Sequence, residues 1–145
     1  MLDSGKLVSV GDTNLFVSEA GNPRGRSIVL LHGGLQSRLA FIPIAKHLAE
    51  DYRLIAIDTR GHGRSGIGTA ALTYRQLQDD FAVVLTALGL QKFGIIGHSD
   101  GGIVALRLAA SHAVQPEFVI AVGAHWVLPE DDTARQIYQT INLEK

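Results

Sequence analysis

Lys92-Phe93-Gly94-Ile95-Ile96-Gly97-His98-Ser99-Asp100-Gly101-Gly102 is the stretch on which the fold turns. Its first half is a short apolar run without alternation, the pattern of a strand covered on both faces, as in a parallel sheet. Its second half sets one serine between two glycines, and a helix pattern of about Asp100–Ser111 follows at once. A residue at the tip of so sharp a turn takes a strained backbone. Bulky neighbours would clash there, and Gly97 and Gly101 clear the space. The Ser99 hydroxyl then projects beyond the carboxyl edge of the sheet, where open α/β sheets bind ligands. The helix N-terminus beneath it favours developing negative charge. Ser99 is therefore the candidate nucleophile, and the Asp100 N–H is a candidate oxyanion donor. The competing explanation is a chance Gly-x-Ser-x-Gly in a Gly-rich loop; the strand before and the helix after argue against it.

Upstream, Ser27–Leu31 is a second buried apolar run, and it ends in His32-Gly33-Gly34. A loop at that edge can aim a backbone N–H at the same oxyanion, with Gly34 as the favoured donor and Leu35 as the substitute; the alternative is a plain tight turn. Arg53–Asp58 is a third such strand and runs into the Gly-rich loop Thr59–Gly66. Two arginines and three glycines there suggest a phosphate site, but the spacing is no Walker motif and no Lys-Ser/Thr follows. Asp58, Arg60 and His62 read instead as braces of the loop.

The intervening segments have helical period. One helix spans about Phe41–Glu50, with Pro43 in its first turn and Phe41, Ala45 and Leu48 buried. A second spans about Tyr74–Leu88, opened by a Thr73/Gln76 capping box and closed by Gly89. Its apolar residues Leu77, Phe81, Val84, Leu85 and Leu88 form one stripe. Two short strands, Lys6–Val10 and Asn14–Ala20, lead the chain, and Glu117–Gly123 is a fourth buried strand. Alternating strands and helices give an α/β fold with a mostly parallel sheet and helices on both faces. Residues 1–128 form the core. Residues 129–145 read as one more helix, with Glu130, Asp131 and Asp132 at its N-terminus, where acids suit the dipole.

Bulk composition narrows the function. With 145 residues, 46% hydrophobic and 19% charged, the chain is a single globular domain. A net charge of −1 gives no reason to expect nucleic acid or an anionic membrane as partner. With no cysteine, disulfides, thiolate metal sites and cysteine nucleophiles are excluded. No apolar run approaches the ~20 residues that span a bilayer, and the N-terminus has no signal-peptide pattern. A cytoplasmic protein without metal or cofactor is expected.

The motifs His32-Gly33-Gly34, Asp58-Thr59-Arg60-Gly61-His62-Gly63-Arg64-Ser65 and Gly97-His98-Ser99-Asp100-Gly101-Gly102, in this order and spacing, resemble the α/β-hydrolase superfamily. The nearest members are its esterase, C–C hydrolase and haloperoxidase-like group. The resemblance runs from about Lys6 to Gly123, the N-terminal part of that fold. It implies an eight-stranded sheet, no cofactor, a small ester-like substrate, and a Ser–His–Asp triad working through an acyl-enzyme. It carries Ser99 over as nucleophile and the Gly34 and Asp100 amides as oxyanion hole. The family places its acid and then its histidine after the nucleophile, usually on strands beyond Glu117–Gly123, and the sequence ends before those. Residues 129–145 resemble the opening helix of the family's cap region.

Few histidines remain as base. His112 sits about 13 residues along the helix from Ser99, roughly 20 Å away at 1.5 Å per residue. His125 lies just past the carboxyl end of a strand, on the correct edge, near Glu130, Asp131 and Asp132. His32 and His98 are closer but read as structural. Two functions follow: a serine hydrolase of ester-type substrates whose base is His125 or comes from a second chain, or a truncated or engineered half of the fold. The second would be a self-associating homodimer, or would bind a complementing C-terminal half, through its unpaired strand edge.

Overall fold

The computed structural model describes residues 1–125 and 127. Strands β1 (Lys6–Ser9) and β2 (Asn14–Gly21) lead the chain, followed by β3 (Arg26–Leu31). A short 3₁₀ turn, Arg38–Phe41, opens directly into α1 (Ile42–Leu48). Then come β4 (Tyr52–Ile57), α2 (Tyr74–Ala87), β5 (Phe93–His98), α3 (Asp100–Ser111) and β6 (Phe118–Val122). The six strands form one sheet in the order β1-β2-β4-β3-β5-β6. β1 and β2 run antiparallel to their neighbours, and β4, β3, β5 and β6 are parallel. All six strands read from the sequence are present among the described residues. No helix among the described residues is long and apolar enough to cross a membrane. The segment 129–145, read from sequence as a helix, lies outside the described residues.

Period-2 geometry divides the apolar residues between the two faces. Val29, Leu31, Ile55, Ile57 and Ile95 pack against Leu77, Phe81, Val84 and Leu85 of α2 and Val104 and Leu108 of α3. Their sequence neighbours Ile28, Leu30, Leu54 and Ala56 pack on the opposite face against Phe41 and Ala45. The unbroken apolar runs are thus strands covered on both faces.

Three local expectations are corrected. The first helix starts later than Phe41, because Ser37 caps a 3₁₀ turn and the α-helix proper begins only at Ile42. The capping box at α2 is half formed: the Thr73 side chain accepts from the Gln76 N–H, but the Gln76 amide donates forward to Asp80. Glu117–Gly123 is no buried strand. β6 pairs with β5 on one side and is the sheet edge among the described residues, leaving Phe118, Ile120 and Val122 exposed by 41%, 49% and 52%.

Two buried guanidinium–carboxylate knots hold the loops at the carboxyl edge. Arg60, fully buried, donates to both oxygens of Asp80 on α2 (2.6 and 2.9 Å) and to Asp12 in the β1–β2 turn. Asp12 also accepts the Thr69 and Ala70 amides, and these donors, Arg60 first, hold its carboxyl well below the usual carboxylate range. Arg38 likewise donates to Asp58 at 2.6 Å, with both side chains buried. Asp58 also accepts the main-chain amides of Arg38 and Arg64. Removing one partner of such a pair leaves an uncompensated buried charge. Arg60→Met is expected to lower unfolding free energy by about 3–5 kcal/mol, read from urea midpoints; a loss under about 1 kcal/mol would show that the knot contributes little beyond its volume.

Candidate active site

The turn between β5 and α3 has the strained geometry expected of it. Ser99 sits at φ +50°, ψ −118°, in a region that side chains rarely enter. A Cβ on Gly101 would fall on the Leu31 carbonyl oxygen, and one on Gly97 would fall on the Gly101 carbonyl. Neither position admits a side chain while the turn keeps its shape. The Ser99 N–H donates to the Val122 carbonyl of β6 at 2.8 Å, and the Ser99 carbonyl accepts the first helical bond from Ile103. Among the described residues the Ser99 hydroxyl has no hydrogen-bond partner.

Parallel pairing brings the ends of β3 and β5 side by side, Leu31 opposite Gly97. The loop after β3 therefore lies against the elbow: a Cβ on Gly33 would stand 3.0 Å from Ser99 Cβ. The N–H groups of Gly34 and Asp100 both lack an acceptor among the described residues; Asp100 opens α3, where the first amides have no partner within the helix. Leu35, named as an alternative donor, is corrected. It takes φ +58° and gives its N–H to His62 Nε2 at 3.3 Å.

Beside the elbow lies a cavity of about 280 Å³, whose lining includes Gly34, Asp100 and Gly101 together with Leu72, Leu77 and Phe81. Its lining includes no lysine or arginine. The Asp100 side chain turns into this cavity. Its Oδ1 accepts from the Tyr74 hydroxyl at 2.6 Å, and its Oδ2 faces the open side of Gly34, where a Cβ would collide with it. Sequence reading assigned Asp100 only its amide and saw in Tyr74 only a helix start. The available signal was that successive helices of a parallel sheet begin at the same edge, so residues at their first turns meet.

The histidines sort by their partners. His32 is buried and has both ring nitrogens committed to main chain: Nδ1 lies 2.7 Å from the Gly33 carbonyl, and Nε2 accepts the Thr59 N–H at 3.0 Å. Those partners require the neutral Nδ1–H form. Burial also pushes the ring below its ordinary value of 6.5. His62 likewise faces the Arg60 carbonyl and the Leu35 amide. His98 Nδ1 lies 3.1 Å from Gln36 Oε1, which also accepts the Gly33 amide. His112 caps the far end of α3 at φ +57°. His125 follows β6 at the elbow's edge of the sheet, half-buried. No hydrogen bond joins it to Ser99 among the described residues. Glu130, Asp131 and Asp132 lie outside them.

A family profile described as "alpha/beta hydrolase fold" matches residues 26–139. The fluoroacetate dehalogenase of Burkholderia sp is 30% identical over 129 residues, covering 86% of this chain and 41% of that protein. The proline iminopeptidase of Xylella fastidiosa strain Temecula1 is 32% identical over 124 residues, covering 83% of this chain and 39% of that one. Among solved structures, an esterase from Exiguobacterium antarcticum superposes with a TM-score of 0.76 at 29% identity, over 83% of this chain and 46% of the esterase. The chain thus spans less than half the length of these relatives.

The neutral state of His32 has a pH signature. Its folded pKa lies below the unfolded 6.5, so the unfolded chain binds the extra proton as pH falls. The associated stability is complete above that value and is lost on going below it. Urea midpoints taken at about pH 7.5 and about pH 5.5 are expected to show the decline, and His32→Gln to remove this component while costing about 1–3 kcal/mol throughout. An equal decline in the variant would place the titration elsewhere.

Proposed function

This chain belongs to the α/β-hydrolase fold family, and from that premise we propose that it carries the nucleophile side of a serine hydrolase of carboxylic-ester-type substrates. The observation that carries the reading is the strained φ of +50° at Ser99, next to two amides on the rim of a cavity that have no acceptor among the described residues. A nucleophile held on a strained turn at a helix start is preorganised, and unpaired N–H donors supply the charge stabilisation that acyl transfer needs.

In this reading Ser99 Oγ attacks the ester carbonyl carbon while a base takes its proton. The carbonyl oxygen becomes an oxyanion facing the Gly34 and Asp100 N–H groups. Collapse expels the alcohol, which takes the proton back and leaves an acyl-enzyme on Ser99. Water then repeats the sequence and releases the acid. His125, or a base from a second chain, fills the base role. Substrates are small molecules, and no step calls on a metal or cofactor.

The exposed edge of β6 favours a second reading, a self-associating module with little turnover. An apolar strand edge with no partner among the described residues is a template for another chain. Light scattering at rising concentration is expected to show a dimer in that case, and Ile120→Lys to return it to a monomer; a strict monomer would set this reading aside.

For the hydrolase reading, a fluorophosphonate probe is expected to label the folded chain at Ser99 and to leave Ser99→Ala unlabelled. His125→Ala should slow labelling by about a hundredfold if His125 is the base. Folded protein that resists the probe would overturn the reading, and an unchanged rate in His125→Ala would move the base to another group.

A further inference from the structure

Asp100 contributes more to the cavity than a backbone amide. An acid in the first turn of a helix satisfies the helix dipole from any rotamer. Here the rotamer is set by the 2.6 Å bond from Tyr74, which holds the carboxylate over the cavity. Oδ2 accepts no hydrogen bond among the described residues, and it is reachable by solvent, since no buried polar side-chain atom there lacks a partner. A carboxylate has room for about four donors, and most of that capacity is unused.

The charges around it are one-sided. Arg38 and Arg60, near the loops that frame the cavity, are buried and committed to Asp58, Asp80 and Asp12. His32 is neutral by virtue of its partners. Leu72, Leu77, Phe81 and Val104 add apolar surface to the same lining. A carboxylate beside an oxyanion hole is also a liability, because the negative charge that develops on a neutral ester is repelled by it. A positive charge borne by the substrate and seated against Oδ2 removes that repulsion.

We propose that Asp100, positioned by Tyr74, is a recognition site for a protonated amine, so that this chain selects amino-bearing substrates with an apolar group beside the amine. The substrate role rests on the serine-hydrolase reading above; amine binding does not. A charge-assisted contact to a half-exposed carboxylate corresponds to about a tenfold preference in affinity.

The test uses the full chain and three probes of one shape: phenethylammonium, phenethyl alcohol and phenylacetate. Binding is followed by the backbone amide resonances of Gly34, Thr73 and Gly101. The ammonium is expected to bind about tenfold more tightly than the alcohol, and phenylacetate more weakly than either. Asp100→Asn should remove the ammonium preference while the alcohol binds as before, and Tyr74→Phe, which keeps the charge but frees the carboxylate to turn away, should reduce it. In the unmodified chain the preference should also shrink as salt rises, a readout that needs no variant to fold. Equal binding of ammonium and alcohol, or a preference that survives Asp100→Asn or is indifferent to salt, overturns the proposal. Ser99→Ala should bind all three probes unchanged, so a failure of fluorophosphonate labelling and a failure of amine recognition are read separately.

Discussion

No side chain fits between the start of α3 and the end of β3. A Cβ on Gly101 would meet the carbonyl oxygens of Leu31 and His32, and one on Gly97 would meet the carbonyl of Gly101. Everything at the carboxyl edge follows from that closeness. It lets β3 and β5 pair directly, brings the loop after β3 against Ser99, and leaves the Gly34 and Asp100 amides on one rim. A bulkier residue would push the helix from the sheet and separate the loops, even if every residue with chemistry to offer remained in place.

The arginine knots serve the same edge by a different means. A Gly-rich loop holds its shape only if something outside it fixes its ends, because its own residues lose much entropy on ordering. Arg60 joins the β1–β2 turn to α2, and Asp58 joins the 3₁₀ turn after β3 to the loop after β4. Of that loop's two arginines, Arg60 is thereby spent on architecture, and exposed Arg64 donates to the Asp3 carbonyl and lies over the Phe16 ring. An anion-binding role for this arginine-bearing loop is accordingly unsupported, and the carboxylate of Asp100 sets the charge of the cavity wall.

How far the sequence could be read depended on the range of the interactions involved. α3 was legible as Asp100–Ser111, the elbow as Gly97–Gly101 and the covered strands as apolar runs, because each is written in neighbouring residues. The burial of β6 was misread because an apolar strand looks alike whether one neighbour or two flank it. The engagement of the Leu35 amide by His62 was hidden by 27 residues of separation, and the Tyr74–Asp100 bond by 26. The braces Asp58 and Arg60 were identified, but not their partners Arg38, Asp80 and Asp12. Such pairings emerge only when the sheet order is known.

The bond from Ser99 N–H to the Val122 carbonyl gives the edge strand a further meaning. A strand paired on one side opens locally before the interior strands β3 and β4 do, so its amides exchange with solvent sooner. One anchor of the strained turn is therefore fastened to an edge strand among the described residues. Whatever rests on the outer edge of β6 slows that opening and thereby sharpens the elbow, although it touches no reacting atom. Occupancy of a distant edge and order at Ser99 become two readings of a single local equilibrium.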